Sequence, residues 1–488
     1  MVELMRNTTK SLTALQQRLQ KINTPQLFQL AQYVICGSSL LLFTTAINGI
    51  QQQRQAINIV GKDAASNVLV AQRLKDAPAG MDAYAVKALL TKSALIPANS
   101  ANRQQALTNT VESLLNDDGK GKSSNASYAE RRQKLAQRLL QASENITGGK
   151  TDQGERRPIL TMQLATLDYL EQLQKAQDYQ AVNKEAESLS AYRSAVDILE
   201  TSLIPAADEL DKAALAKLDT AYNQQKGNVS NTVTWLAIAG FVVIAQLIAL
   251  QVFISLRTRR TINISLLLAT ILIGIFIVWA IFLIQASGEN LRIARENVFN
   301  SLHSLRQARS LTYTANANES RALLLRNEAT RFEQAFNANI QKIITVPTNS
   351  LGNLAVMTAQ GNTSTNIGGF LGETLRQPFM AGEATALADN LTMLDRYLQT
   401  STKLRGLANS SLPAAVALAS GQAGDDFNNF LKANQKAIDL NKKAFDESVS
   451  NSIESLEGFE LKSWTVLILI VFLVFLGLRP RIKEYNFR

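Results

Sequence analysis

Four stretches of the chain contain no charged residue, and they restrict the possible folds more than any other feature. They cover residues 29–50, 232–254, 262–286 and 463–478. At 1.5 Å per helical residue, each stretch is long enough, or nearly so, to cross a hydrocarbon core of about 30 Å. The sequence therefore predicts an integral membrane protein with four transmembrane helices.

The positive charge of the chain is concentrated in three short pieces beside these stretches. The net charge of the whole chain is +10, and residues 1–28, 255–261 and 479–488 each carry a net charge of +3. Short loops rich in Lys and Arg stay in the cytoplasm. We therefore expect both termini and the 255–261 connector to be cytoplasmic, and the long segments 51–231 and 287–462 to lie on the other side. Nucleic-acid binding has no support, because little positive charge remains elsewhere.

The chain has one Cys and one His, which removes most catalytic and metal-binding chemistry. Cys36 lies inside the first apolar stretch, so the long segments contain no disulfide. His303 alone builds neither a His-based metal site nor a Ser-His-Asp triad. The sequence therefore predicts no catalytic residue, no metal ligand, no cofactor and no enzymatic activity.

Both long segments have the composition of long helices. Ala and Gln are frequent, Gly and Pro are rare, and the alternating pattern of strands is absent. Breaking residues divide the first segment into four arms, which end near residue 95, cover 103–147 and 158–202, and restart at Pro205. Four long arms predict an antiparallel four-helix bundle. The predicted fold class is all-α, with four transmembrane helices and two extracytoplasmic four-helix bundles.

The second half of the chain repeats the first. Residues 82–90 match 316–324, and residues 203–210 match 411–418. Trp235 and Trp464 each open a returning apolar stretch. Matches that keep their order along the chain indicate a duplicated unit of span, bundle and span.

Two groups of residues are candidates for contacts at the membrane surfaces. Trp235 and Trp464 are expected to anchor the outer interface. Residues 11–22 form an amphipathic helix that either lies on lipid or docks a cytoplasmic partner. The residues expected to make partner contacts or to set the topology on the cytoplasmic side are Leu12, Leu15, Leu19, Ile22, Arg257, Arg259 and Arg260.

Charged residues on the outer helices select no ligand-binding residue. We expect Arg73, Lys75, Arg306 and Arg309 to form mostly a solvated face. An Arg side chain could hold a ligand carboxylate bidentately, but the sequence alone does not indicate which one. The ligand-binding residues therefore stay unknown at this level.

Short motifs in the first long segment resemble those of chemoreceptor-type four-helix-bundle sensor domains. They are residues 59–63, 71–74, 81–83, 191–193 and 203–207. The tandem arrangement with four spans is similar to bacterial membrane relays of actinobacteria and cyanobacteria. This resemblance implies a plasma-membrane sensor that passes the signal of a periplasmic solute-binding protein to a cytoplasmic partner such as a Ser/Thr kinase.

One departure from that resemblance affects the expected output. Only about ten residues follow Arg479, too few for a kinase or a methyl-accepting coil, so we expect a separate partner to respond. The expected function is non-enzymatic signal reception or relay. The alternative is a structural or assembly subunit of an envelope machine for secretion, polysaccharide export or pili. Lipid is an expected partner, and assembly into a homo-oligomer stays open.

Overall fold

The fold is that of a helical protein. The computed structural model describes residues 24–92, 153–258, 263–346, 350–363 and 366–486. About 92% of these residues lie in helices. Within these ranges no strand is present, and an isolated antiparallel bridge joins Thr345 to Gly368. The predicted all-α class is confirmed for the described part of the chain.

The helices are numbered here in chain order, and three of them continue directly into a π-helical segment. The π segments are Ile59–Ala64, Leu199–Leu203 and Ile293–Phe299. The α-helices are α1 Thr24–Asn58, α2 Ala65–Lys92, α3 Gln153–Ala181, α4 Glu185–Ile198, α5 Ile204–Thr258, α6 Ile264–Arg292, α7 Asn300–Leu324, α8 Ala329–Ile343, α9 Leu351–Ala359, α10 Gly369–Leu375, α11 Glu383–Ser410, α12 Leu412–Ser420, α13 Gln422–Glu454 and α14 Phe459–Asn486.

Four helices are long and apolar enough to cross a membrane. They contain the four predicted stretches, which lie in α1, α5, α6 and α14. Large apolar side chains on these stretches are exposed, among them Leu41, Phe241 and Phe282. Helices that are apolar on their outer faces suit a lipid environment, because lipid carries no penalty for such exposure. The prediction of four membrane-spanning helices is confirmed at this level.

The described residues divide into two compact units. Unit 1 includes residues 24–58, 222–291 and 450–486, and therefore holds all four apolar stretches. Its helices approach closely at small residues. A Cβ added at Gly49 would lie 2.3 Å from the Thr232 methyl group, and one added at Gly240 would lie 2.3 Å from Ile277 Cδ1. Small residues at helix contacts are typical of membrane bundles, where packing drives association.

Polar side chains also join the helices of unit 1. Gln225 donates to Gln53 Oε1 over 2.7 Å, and Gln53 donates to Ser287 Oγ over 3.4 Å. Arg54 of α1 forms a 2.8 Å ion pair with Glu460 of α14. Side-chain hydrogen bonds between helices in an apolar environment favour one arrangement of the bundle.

Unit 2 combines both long segments. It contains the described residues of 59–221 and 292–449. Among these residues, two separate four-helix bundles are not shown, because α2 from the first segment packs along α7 from the second. The predicted arm at 103–147 lies outside the described residues. The local contacts expected from a repeat are thus accompanied by contacts between the repeats, which a pattern within one segment does not reveal.

The turn between the third and fourth arms differs from the prediction. The structure places it at residues 182–184, where Asn183 has a left-handed φ of 57°. Helical structure then continues through Pro205. Proline lacks the amide hydrogen of a regular helix, and the preceding π segment Leu199–Leu203 already departs from regular pairing there. Pro205 therefore lies in a continuous helix and does not follow a turn.

The two repeats share a structural irregularity at the same spacing as their sequence match. The π segments Ile59–Ala64 and Ile293–Phe299 begin 234 residues apart. Residues 82–90 and 316–324 are separated by the same interval. A π segment inserts an extra residue into a helical turn and is often found at functional sites. Its recurrence supports the internal duplication.

Candidate functional site

The centre of unit 2 is the parallel pair of helices α2 and α7. Lys75 Nζ donates to Gln307 Oε1 over 2.6 Å, and further along both helices Asp82 pairs with Arg321. Residue numbers increase together along the contact, so the helices run in the same direction. Each helix belongs to one repeat, and their contact is therefore the interface between repeats.

One buried group of polar residues, the Asp82 cluster, crosses this interface. Asp82 and Arg321 form an ion pair in which each side chain is only 1% exposed. The hydroxyls of Tyr169 and Tyr192 both donate to Asp82 Oδ1 over 3.2 Å. Arg321 also donates to Asn318 Oδ1 over 2.6 Å. The carboxylate and the guanidinium are thus both paired and hydrogen-bonded, which is the condition for burying such charges.

The electrostatics of the Asp82 cluster keep its charges fixed. Burial would lower the pKa of Arg321, but the adjacent Asp82 more than reverses this effect and the pKa is raised. Burial raises the pKa of Tyr192, and Asp82 adds to the rise. The tyrosine therefore stays neutral and donates its hydrogen bond. Because neither group titrates near neutral pH, the cluster is a permanent connection between the repeats.

A second buried group, the Glu319 cluster, lies on the same two helices. It contains Lys87 of α2, Asn316 and Glu319 of α7, and Tyr397 and Ser401 of α11. Asn316 donates to the Tyr397 hydroxyl over 3.4 Å, and this hydroxyl donates to Glu319 Oε2 over 3.5 Å. These contacts are long for hydrogen bonds that involve oxygen. The cluster is therefore more loosely bonded than the Asp82 cluster.

The charged groups of the Glu319 cluster are strongly affected by burial. Burial lowers the pKa of Lys87 to about 8, although Glu319 and Asp425 oppose this shift. Burial also raises the pKa of Glu319, against the positive charge of Lys87. The ammonium of Lys87 lies 5.5 Å from the centre of the Phe427 ring, within cation–π distance. The state of charge at this end of the interface is thus poorly fixed.

The two clusters occupy equivalent places in the duplicated sequence. Shifting by 234 residues places Lys87 on Arg321 and Asp82 on Asn316. The basic position is thus kept in both repeats, whereas the acidic partner is Asp82 in one and an amide in the other. The direct ion pair of the Asp82 cluster has no equivalent between Lys87 and Asn316. The symmetry of the fold is therefore broken by its charges.

A small cleft opens beside the Glu319 cluster. It encloses about 280 Å³ of space between α7, α8 and α11. Phe336 contributes an aromatic wall, and the Arg405 guanidinium lies 4.7 Å from the centre of its ring. The residues that line the cleft are Glu319, Ala322, Leu323, Arg326, Glu333, Phe336, Leu404, Arg405 and Ala408. Buried carboxylates and arginines that converge on a concave surface are features of ligand sites.

The structure places the predicted interface residues on the apolar helices. Trp235 of α5 is 64% exposed and Trp464 of α14 is 44% exposed. The third tryptophan, Trp279, was missed by sequence reasoning and stacks on Phe459 with ring centres 5.0 Å apart. The predicted contacts Leu12, Leu15, Leu19, Ile22, Arg259 and Arg260 lie outside the described residues, and Arg257 lies near the end of α5.

The expectation that four outer cations are solvated is wrong for three of them. Lys75 is mostly buried and pairs with Asp208 over 2.5 Å. Arg306 is buried within 3.9 Å of Asp76, and Arg309 is buried and donates to the Leu431 carbonyl over 3.0 Å. Arg73 is exposed as expected. The error has a physical cause, since these cations face the other repeat rather than solvent.

The only His of the chain belongs to a separate polar contact. His303 Nε2 lies 3.1 Å from Asp211 Oδ2, and Gln307 donates to the same oxygen over 2.6 Å. Within the described ranges, no group of three or more His, Cys, Asp or Glu side chains is arranged to hold a metal ion. His303 thus contributes to helix packing in unit 2.

Comparisons with known proteins give no further assignment. No protein-family model matches the chain, and neither a curated protein nor a solved structure matches it. The resemblance to chemoreceptor-type sensors therefore stays a hypothesis that depends on short motifs. The argument for function has to come from the site itself.

Sequence reasoning missed both clusters because it treated each repeat alone. Asp82 and Arg321 were visible only as positions within the repeat match. The available signal was the alignment of Lys87 with Arg321, which keeps a cation in both repeats. A cation that recurs on a helix with an otherwise apolar face indicates a buried partner.

Proposed function

We propose that this protein is a non-enzymatic receptor or relay in a bacterial plasma membrane. Unit 2 is the extracytoplasmic part, both termini are cytoplasmic, and the paired helices α2 and α7 transmit the signal. A ligand or a ligand-loaded binding protein favours one packing of these helices. The change then reaches a cytoplasmic partner, such as a Ser/Thr kinase, through the membrane-spanning helices.

The observation that carries this proposal is the continuity of the central helices with two apolar helices. The chain is helical without a break from Thr24 to Lys92 and from Ile264 to Leu324. The Asp82–Arg321 ion pair lies near the far end of both helical runs. A buried charged pair specifies a particular arrangement of helices in the best-attested cases. A change in that arrangement can pass along a continuous helix as a small shift or rotation.

The recurring π segments support the same proposal. Each lies where an apolar helix continues into a helix of unit 2, at residues 59–64 and 293–299. The wider turn of a π segment allows the helix to change register without unfolding. A matched pair of such segments is more than helix packing alone requires.

The topology is tested by labelling introduced cysteines in intact cells. In a Cys36→Ser background, Asn183→Cys and Asn362→Cys should react with a membrane-impermeant thiol reagent. Arg257→Cys should react only after the cells are permeabilised. Labelling of Arg257→Cys in intact cells would overturn the placement of unit 2 outside the cytoplasm.

The relay itself is tested by disturbing unit 2 and measuring unit 1. The rings of Phe43 and Phe276 stack with centres 4.0 Å apart, so a Phe43→Cys and Phe276→Cys pair should react with a short bifunctional thiol reagent. Breaking the Asp82–Arg321 pair with Asp82→Asn should change the rate of this crosslink severalfold. Lys436→Met, which removes an exposed ion pair in unit 2, is the matched control. Equal rates in all three proteins would refute transmission.

The cytoplasmic output is tested through residues that sequence analysis selected. We expect the combined Leu15→Ser and Leu19→Ser change, or Arg→Gln changes at 257, 259 and 260, to release a bound cytoplasmic partner without affecting insertion. If every co-purifying protein is retained by these variants, the chain has a structural role in the envelope instead.

A further inference from the structure

The Glu319 carboxylate is buried and incompletely satisfied. Glu319 is 5% exposed, and among the described residues its Oε1 atom has no hydrogen-bond partner. Its Oε2 atom receives only the long contact from the Tyr397 hydroxyl. A buried carboxylate oxygen without a donor is costly and requires an explanation, such as a bound group.

The other repeat shows what is missing. Asp82 receives a guanidinium directly, from Arg321. Lys87 holds the equivalent basic position but makes no ion pair of 4 Å or less in the described part of the chain, and it faces the Phe427 ring. Glu319 therefore has positive charge nearby but no N–H donor on its free oxygen. A cationic donor from outside would complete the arrangement that Arg321 completes in the Asp82 cluster.

The cleft gives such a donor a way to reach Glu319. Glu319 is buried in its lining, whereas Arg405 is partly exposed and Arg326 is exposed. The lining carries two carboxylates and two guanidinium groups, so its formal charge is balanced. A purely cationic or purely anionic solute would meet repulsion as well as attraction there. A small solute with both charges meets a complementary group at each end.

We propose that this cleft binds a small zwitterion whose protonated amine pairs with Glu319 and whose carboxylate pairs with Arg405. The amine supplies the missing donor to Glu319 Oε1, and the carboxylate accepts from the guanidinium that stacks on Phe336. The apolar lining at Leu323 and Leu404 contacts the carbon chain between the charges. The inference rests on the receptor function proposed above and names the class of its ligand.

The test is equilibrium binding to the full-length protein in detergent micelles, measured by calorimetry. The probes are glycine, β-alanine and 4-aminobutanoate, which separate the two charges by different lengths. n-Propylamine and propionate are the single-charge controls. We expect at least one of the three zwitterions to bind, and both controls to bind at least about tenfold more weakly, since a charge-assisted hydrogen bond contributes about 1.5–3 kcal/mol.

Variants assign the two ends of the ligand. Glu319→Gln should weaken zwitterion binding at least tenfold, and Arg405→Gln should weaken it while leaving the affinity for n-propylamine unchanged. Glu447→Gln, at an exposed position on α13, should have no effect. Circular dichroism confirms that each variant is folded. No binding by any zwitterion at concentrations up to about 10 mM, or equal binding of n-propylamine, would overturn the site.

The site and the relay can fail separately. Zwitterion binding without any change in the Phe43–Phe276 crosslinking rate would keep the site and reject its role in transmission. A crosslinking rate that responds to Asp82→Asn, in a protein that binds no zwitterion, would keep the relay and reject the site.

Discussion

The Asp82–Arg321 ion pair should be the most sensitive point in unit 2. Replacing Arg321 by Met leaves the Asp82 carboxylate buried, with only the Tyr169 and Tyr192 hydroxyls to stabilise it. Breaking a buried pair by removing one partner costs about 3–5 kcal/mol. Because both side chains are 1% exposed, solvent screening does not reduce this value. We expect Arg321→Met to lower the free energy of unfolding by that amount.

The duplicated fold supplies a matched control for this prediction. Lys87→Met removes a cation at the equivalent position of the other repeat, but Lys87 is not directly paired with a carboxylate. Its ammonium is buried and carries a desolvation cost, which lowers its pKa to about 8. We therefore expect Lys87→Met to be neutral or stabilising at pH 7. Arg→Met and Lys→Met remove similar volumes, so the difference between the variants reports the ion pair.

A double-mutant cycle separates the ion pair from general damage. Adding Asp82→Asn to Arg321→Met removes the uncompensated charge, so more than half of the lost stability should return. Unfolding should be followed by far-ultraviolet circular dichroism, because Trp235, Trp279 and Trp464 all lie in unit 1 and do not report on unit 2. A cost below about 1 kcal/mol for Arg321→Met, or an equal cost for Lys87→Met, would refute the reasoning.

Two further predictions concern Lys87 and Gly61. Below pH 8 Lys87 is protonated in both states, whereas between about pH 8 and 10.5 the unfolded chain keeps the proton and the folded chain has lost it. Stability should therefore rise with pH across this range, by roughly 3 kcal/mol, relative to Lys87→Met, and an equal pH profile for both proteins would contradict the burial of this ammonium. In the first π segment, a Cβ at Gly61 would lie 2.6 and 2.8 Å from the two methyl groups of Val449. Gly61→Ala should cost about 1–3 kcal/mol in chemical denaturation, and Val449→Ala should recover part of this cost, whereas an additive loss in the double variant would place the strain elsewhere.

The spans of this fold were predictable because lipid imposes a simple rule. A helix that crosses a membrane must be apolar over about 20 residues, and the stretches at 29–50 and 232–254 satisfy this rule on their own. No partner needs to be known to recognise them. The all-α class follows from the same local information, since helix propensity and breaking residues act over a few turns.

The interior of unit 2 was less predictable because its contacts join distant parts of the chain. Lys75 and Arg309 have the spacing of a solvated helical face, yet they contact Asp208 and the Leu431 carbonyl. A helical pattern assigns residues to a face and does not say what covers that face. In a duplicated protein the cover can be the other repeat, so solvent exposure cannot be derived from one repeat alone.

The candidate site was unpredictable for a related reason. Glu319 is one of many carboxylates in the sequence, and its distinction is an unpartnered oxygen beside a cleft. That property depends on where Tyr397 and Lys87 lie in three dimensions. The repeat alignment predicted equivalent positions, but not that one pair of positions would be neutralised and the other left open.

The broken symmetry of the two clusters follows from having both repeats in one chain. If two identical chains formed the α2–α7 interface, every residue would occur twice, and the two ends of each contact would carry the same side chains. Duplication within one chain lets Arg321 and Lys87 occupy equivalent positions with different partners. One cluster can then fix the register of the helices through a closed ion pair, while the other keeps an unpaired carboxylate for a ligand. A single binding event at Glu319 would act against a fixed reference at Asp82, so it could tilt or shift α7 relative to α2 instead of expanding both ends of the interface equally. This division of roles is what a relay with one ligand and two continuous helices requires.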